Sequence, residues 1–96
     1  MTPEKQKKLN KIRNKLDGLD NSLIKLIKKR TELVKQVLKL KEYKNQIVDK
    51  KRIKVILSQI KKKSLKNKID PKITNRIWKN MLWSYIDFEK RNFKKK

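Results

Sequence analysis

At 96 residues the chain reads as one domain whose lone core would be marginal, so association into at least a dimer is the natural remedy. With no cysteine and no histidine it has no disulfide, thiolate nucleophile, imidazole acid–base group, redox role or common zinc constellation. A formal net charge of +22, from 31 Lys and Arg against 9 Asp and Glu, raises nucleic acid as a partner. Yet Lys, Ile and Asn are heavily used, Ala is absent and Gly18 is the one glycine, as an AT-biased genome would write on any scaffold. Lysines at exposed positions then mean little, and the arginines are the residues to watch.

The N-terminus, Met1-Thr2-Pro3-Glu4-Lys5-Gln6-Lys7-Lys8, has no apolar leader core, and no stretch approaches a membrane span, so the expected location is cytoplasmic with no membrane partner. From Lys8 to about Glu42 apolar residues recur at three- and four-residue steps, from Leu9, Ile12 and Leu16 to Val37, Leu38 and Leu40. This periodicity predicts one long helix, roughly 50 Å over its 35 or so residues and too long for a globule of this size, so it should pack against a partner chain. Lys44-Asn45-Gln46 predicts a short polar loop, and Asp49 stands where an N-cap would open a second helix with its apolar face on Ile53, Ile56, Leu57 and Ile60. Lys61 to Lys68 reads as a lysine-rich link. Asp70-Pro71 then starts a third helix, carrying Ile73, Ile77, Trp78, Met81, Leu82, Tyr85, Ile86 and Glu89, and Arg91 to Lys96 reads as a frayed basic tail. The expected fold is all-α, one long helix and two shorter ones, in a single domain over 1–96 with its core at about 9–89 and the basic tail at 90–96.

Most lysines belong on solvated faces, but four cations stand out. From Arg30 the helical repeat brings Val34, Val37 and Lys41 round to nearly one face, so two cations about 16 Å apart flank an apolar strip and could grip one small dianion. Arg13 is aligned with Leu16, Asp20, Ile24 and Ile27 on the packed side of the helix; it could bind a ligand or pair with Asp17 or Asp20 at a helix interface. It lies ~42 Å along the helix from Lys41, so if both serve one small ligand a second chain must supply it. Arg52 follows the Asp49 cap. Glu89 lies on the Trp78, Met81 and Tyr85 side of the last helix, where apolar neighbours favour a neutral carboxyl and cations favour the anion. Trp78 and Tyr85 fit a core, although Tyr85, one turn before Glu89, could line a pocket.

In chain order, Ile12-Arg13, Leu19-Asp20, Leu26-Ile27-Lys28-Lys29-Arg30, Lys41, Ile47-Val48-Asp49-Lys50-Lys51-Arg52, then Trp78-Lys79-Asn80-Met81-Leu82 with Tyr85 and Glu89, the sequence resembles the all-helical chorismate mutase family over about Leu9 to Glu89. The resemblance implies an intertwined homodimer with two shared sites that converts chorismate to prephenate in phenylalanine and tyrosine biosynthesis, with no cofactor and no metal; no specific nucleic acid is expected either, since no aromatic–basic stacking surface or groove-reading motif is visible in the sequence. The resemblance also implies roles. Arg13 would bind a carboxylate in the partner's site, Arg30 and Arg52 would hold carboxylates within the chain, Lys41 would donate to the enolpyruvyl ether oxygen, and Asp49 would lie near the substrate hydroxyl. Glu89 takes a position that is Gln in many members and Glu in others, and Lys41, Glu89 and Arg30 form the expected catalytic set.

Three features depart from typical mutases. Ile53 stands where they carry a Glu on the ring hydroxyl, Tyr85 where they often carry Ser, and the loop from Lys41 to Arg52 is one residue shorter. All three are similar to the isochorismate pyruvate lyase branch, which makes salicylate but carries Gln at the Glu89 position. That lyase on the same fold is the alternative activity. A basic helical nucleic-acid-binding module, with affinity falling steeply with salt, is the remote one.

Overall fold

A computed structural model describes residues 1–94. Three α-helices follow one another: α1 (Pro3–Leu40), α2 (Lys50–Lys66) and α3 (Pro71–Asn92), with a single 3-10 turn at Lys44–Gln46 between the first two. There is no strand among the described residues, as the helical periodicity predicts. The chain divides into two compact units, Met1–Leu33 and the remainder from Val34 onward.

The first unit is helix alone. It begins five residues earlier than expected, because Pro3 suits a first helical position, where its missing N–H costs nothing. Its apolar residues have nothing to pack on within the unit: Ile12, Leu19 and Ile24 are 55%, 62% and 66% exposed.

The second unit is built on the α2–α3 pair. Ile53, Ile56, Leu57 and Ile60 recur at helical spacing along α2 and are half-buried, as are Trp78, Met81 and Tyr85 on α3. The buried core is Ile47, Leu82 and Ile86, with Ser64 and Glu89 as its polar members. Ile73 and Ile77, expected on the packed face of α3, are exposed instead. Ser64 is tied across the pair: its Oγ lies 2.7 Å from Thr74 Oγ1 and 2.6 Å from the Ile60 carbonyl. If Ser64 donates to that carbonyl, Thr74 donates to Ser64, and neither hydroxyl is left unsatisfied.

Both predicted caps form. Asp49 accepts the Arg52 backbone N–H at 3.0 Å, and Asp70 accepts that of Lys72 at 2.9 Å, with Pro71 at the first helical position. Two boundaries move. The expected lysine-rich link is mostly helix, because α2 runs to Lys66 and closes only at Asn67. The Ile69 N–H reaches the Ser64 carbonyl at 2.8 Å and the Lys68 N–H reaches that of Leu65 at 3.2 Å, a Schellman closure with Lys68 at φ 57°. The expected frayed tail is helical through Asn92, held in part by the Arg91–Asp87 pair one turn apart. Lys95 and Lys96 lie outside the described residues.

Candidate active site

The segment that joins α1 to α2 positions the chemistry. Beyond Leu40 the chain leaves the helix, turns through Lys44–Gln46 and sinks Ile47 into the core at 3% exposure before Asp49 caps α2. Ile47 thus acts as an anchor in an otherwise polar loop, fixing both the residue before it and the cap after it.

Lys41 is held at this loop. Its Nζ donates to Glu89 at 3.2 Å to Oε1 and 3.3 Å to Oε2, and makes a longer contact of 3.4 Å with the Ile47 carbonyl. Glu89 comes from the last turns of α3 and is buried, with 6% of its surface exposed. A carboxylate taken so far from water requires a cation, and Lys41, itself half-buried, supplies it. The ammonium has three N–H groups. Its three acceptors here are the two Glu89 oxygens and, at the longest distance, the Ile47 carbonyl. Lys41 lines a cleft of ≈ 680 Å³ whose other walls include Val37, Leu40, Gln46, Val48 and Asp49, with Lys50 and Lys51 adding positive charge.

The structure therefore brings Lys41, Glu89 and Asp49 to one loop of the second unit. Arg52 is exposed in the first turn of α2, its backbone N–H fixed by Asp49, while Ile53 and Tyr85 are half-buried in the helix pair and do not line the cleft. Arg13 and Arg30 belong to the first unit, where Arg13 is exposed and Arg30 half-buried. The ion pair of Arg13 with Asp17 or Asp20, one of its two sequence readings, does not form within the chain.

Sequence reasoning missed Gln46. Its Oε1 accepts the backbone N–H groups of Glu42 at 2.7 Å and Tyr43 at 3.0 Å, cross-tying the loop immediately after Lys41. A glutamine between Asn45 and an apolar Ile47-Val48 pair was the available signal, because an apolar pair in a polar loop marks an anchor that something must hold in register.

The family model for chorismate mutase type II matches residues 12–90. The chain belongs to that family. It is accordingly an isomerase, a chorismate mutase acting on chorismate, with a place in aromatic amino acid biosynthesis. The matched span covers all three helices, from Ile12 through Lys90, and includes the Lys41–Glu89 pair. No curated protein and no solved structure matches the chain. Among the described residues no helix is long and apolar enough to cross a membrane, and no cluster of acidic side chains could hold a metal ion.

Proposed function

We propose that this chorismate mutase works as a cytoplasmic homodimer with shared active sites, one mutase-type domain per chain with its core at about 9–89. The observation that carries the site is Lys41, whose ammonium is fixed by Glu89 and which lines a cleft together with Asp49. The rearrangement is intramolecular and needs no nucleophile or cofactor. Catalysis then consists of holding the flexible enolpyruvyl arm over the ring and of placing a cation where the breaking C–O bond gathers negative charge.

In this reading Lys41 donates an N–H to the ether oxygen in exchange for its long contact with the Ile47 carbonyl. Arg30 and Arg52 hold the two carboxylates within the chain, and Arg13 of the second chain adds a further grip. Asp49 accepts from the ring hydroxyl, and Glu89 orients Lys41. The support for these roles is the family match, the ion pair and the order of the residues along the chain.

Following chorismate loss and identifying the product tests the reading. Wild type forms prephenate, and Lys41→Ala lowers kcat about 100- to 1,000-fold, the scale of removing one preorganised donor from a developing negative charge. Prephenate formed at the wild-type rate by Lys41→Ala would displace Lys41 from the site.

A further inference from the structure

Lys41 is the first residue beyond α1, so no helical hydrogen-bond ladder continues past it, and its side chain is only as well placed as the loop beneath it. That loop is closed by one side chain. Gln46 reaches back so that its Oε1 accepts both the Glu42 and the Tyr43 backbone N–H groups, while its own N–H donates to the Tyr43 carbonyl at 3.0 Å. Both side-chain partners are donors, which fixes the oxygen of the amide toward the backbone. The three bonds join the residues directly after Lys41 to the residue directly before Ile47. Ile47 is the buried anchor and also the source of the carbonyl that touches Lys41 Nζ. Gln46 therefore stands at the base of a small closed loop whose two ends supply the ammonium and one of its acceptors.

We infer that Gln46 is a positioning residue for Lys41: by cross-tying Glu42 and Tyr43 it holds the Lys41 ammonium at the place where the ether oxygen of chorismate arrives. The inference rests on Lys41 being the ether-oxygen donor. Gln46 needs no contact with substrate for this. Without its oxygen the amides of Glu42 and Tyr43 turn to water, the loop loses its cross-tie, and the ammonium samples positions off the reacting oxygen. Displacement by about an ångström is enough to cost up to 100-fold in rate.

The test is a double-mutant cycle on kcat and KM for chorismate, with enough enzyme to exceed the uncatalysed rearrangement and with circular-dichroism melts on every variant. Gln46→Met keeps the length of the side chain and removes the acceptor. It should lower kcat about 10- to 100-fold in a folded protein. Gln46→Glu keeps an acceptor for both amides and should hold kcat within a few fold of wild type, while KM rises because a carboxylate now faces a dianion. In the Lys41→Ala background Gln46→Met should cost no more than about twofold, since there is no ammonium left to position. An equal loss in both backgrounds, or wild-type kcat for folded Gln46→Met, overturns the proposal. Should Gln46→Met fail to fold, Gln46→Glu decides: a loss of kcat as large as that of Lys41→Ala refutes positioning by the acceptor. A wild-type rate for Lys41→Ala itself refutes the role of Lys41 and the role of Gln46 with it, whereas additive losses refute only the latter.

Discussion

Glu89 determines what charge an incoming dianion meets at Lys41. Its buried carboxylate takes the ammonium through both oxygens, so Lys41 is already neutralised by a group that cannot leave. A glutamine of the same shape would accept from Lys41 through its carbonyl and keep an N–H to donate at every pH. Glu89→Gln should therefore lower KM for chorismate several-fold, by removing one like charge beside a dianion. An unchanged KM in Glu89→Gln would remove Glu89 from the charge balance of the site. The variant should lose about 1 kcal/mol of stability, the difference between a charge-assisted and a neutral hydrogen bond. At this scale the sequence carried the residue types well. Glu89 and Lys41 were legible as polar intruders on apolar faces, because periodicity reports which side of a helix a residue occupies. Their meeting was not legible from periodicity, since they lie 48 positions apart and on separate elements, and only the family resemblance put both in one site. Gln46 carried only a local signal, the apolar Ile47-Val48 pair after it in a polar loop, because its role comes from a backbone turn that leaves no period in the sequence.

The helices themselves were readable where a local rule acts alone. Asp49 and Asp70 cap as their positions require, and Pro71 opens α3. Lys61 to Lys68 is polar and reads as a link, yet residues 61–66 are a solvated helical face, with Ser64 alone turned inward to meet Thr74. Nothing marked the stop, for the Schellman closure that normally signals itself by a glycine here carries Lys68 in the left-handed conformation at φ 57°. The chain's one glycine, Gly18, sits instead inside α1, where an added Cβ would meet nothing within 4 Å. A lysine in the left-handed region is strained by about 1–2 kcal/mol, part of which glycine gives back through its freer unfolded chain. Lys68→Gly should thus stabilise the protein by about 1 kcal/mol and raise its melting temperature by roughly 4–8 °C at fixed protein concentration, with chorismate turnover unchanged. A lower melting temperature would mean that the Lys68 side chain contributes more than its backbone costs.

For the molecule as a whole, the exposed apolar residues of the first unit are the governing fact. Ile12, Leu16, Leu19, Leu23 and Leu26 follow one another at alternating steps of four and three, the spacing that presents a continuous seam to another helix, and each is more than half exposed. Arg30 falls at the next step of the same seam. A seam of that kind bare to water is a liability in a monomer, and burial against a second chain removes it. The dimer we propose makes a sharp demand on the arginine at the head of the seam. If Arg13 serves the site of the other chain, Arg13→Ala and Lys41→Ala homodimers are both impaired at both sites. A heterodimer of the two has one site lacking both groups and one site lacking neither. Unfolding an equimolar mixture and refolding it together should pair the chains at random, so that half of the dimers are hybrid and about a quarter of wild-type activity returns. The recovered activity should co-elute with the dimer and should carry the wild-type KM. If Arg13 instead serves the site of its own chain, every site in the mixture lacks one group or the other and refolding restores nothing.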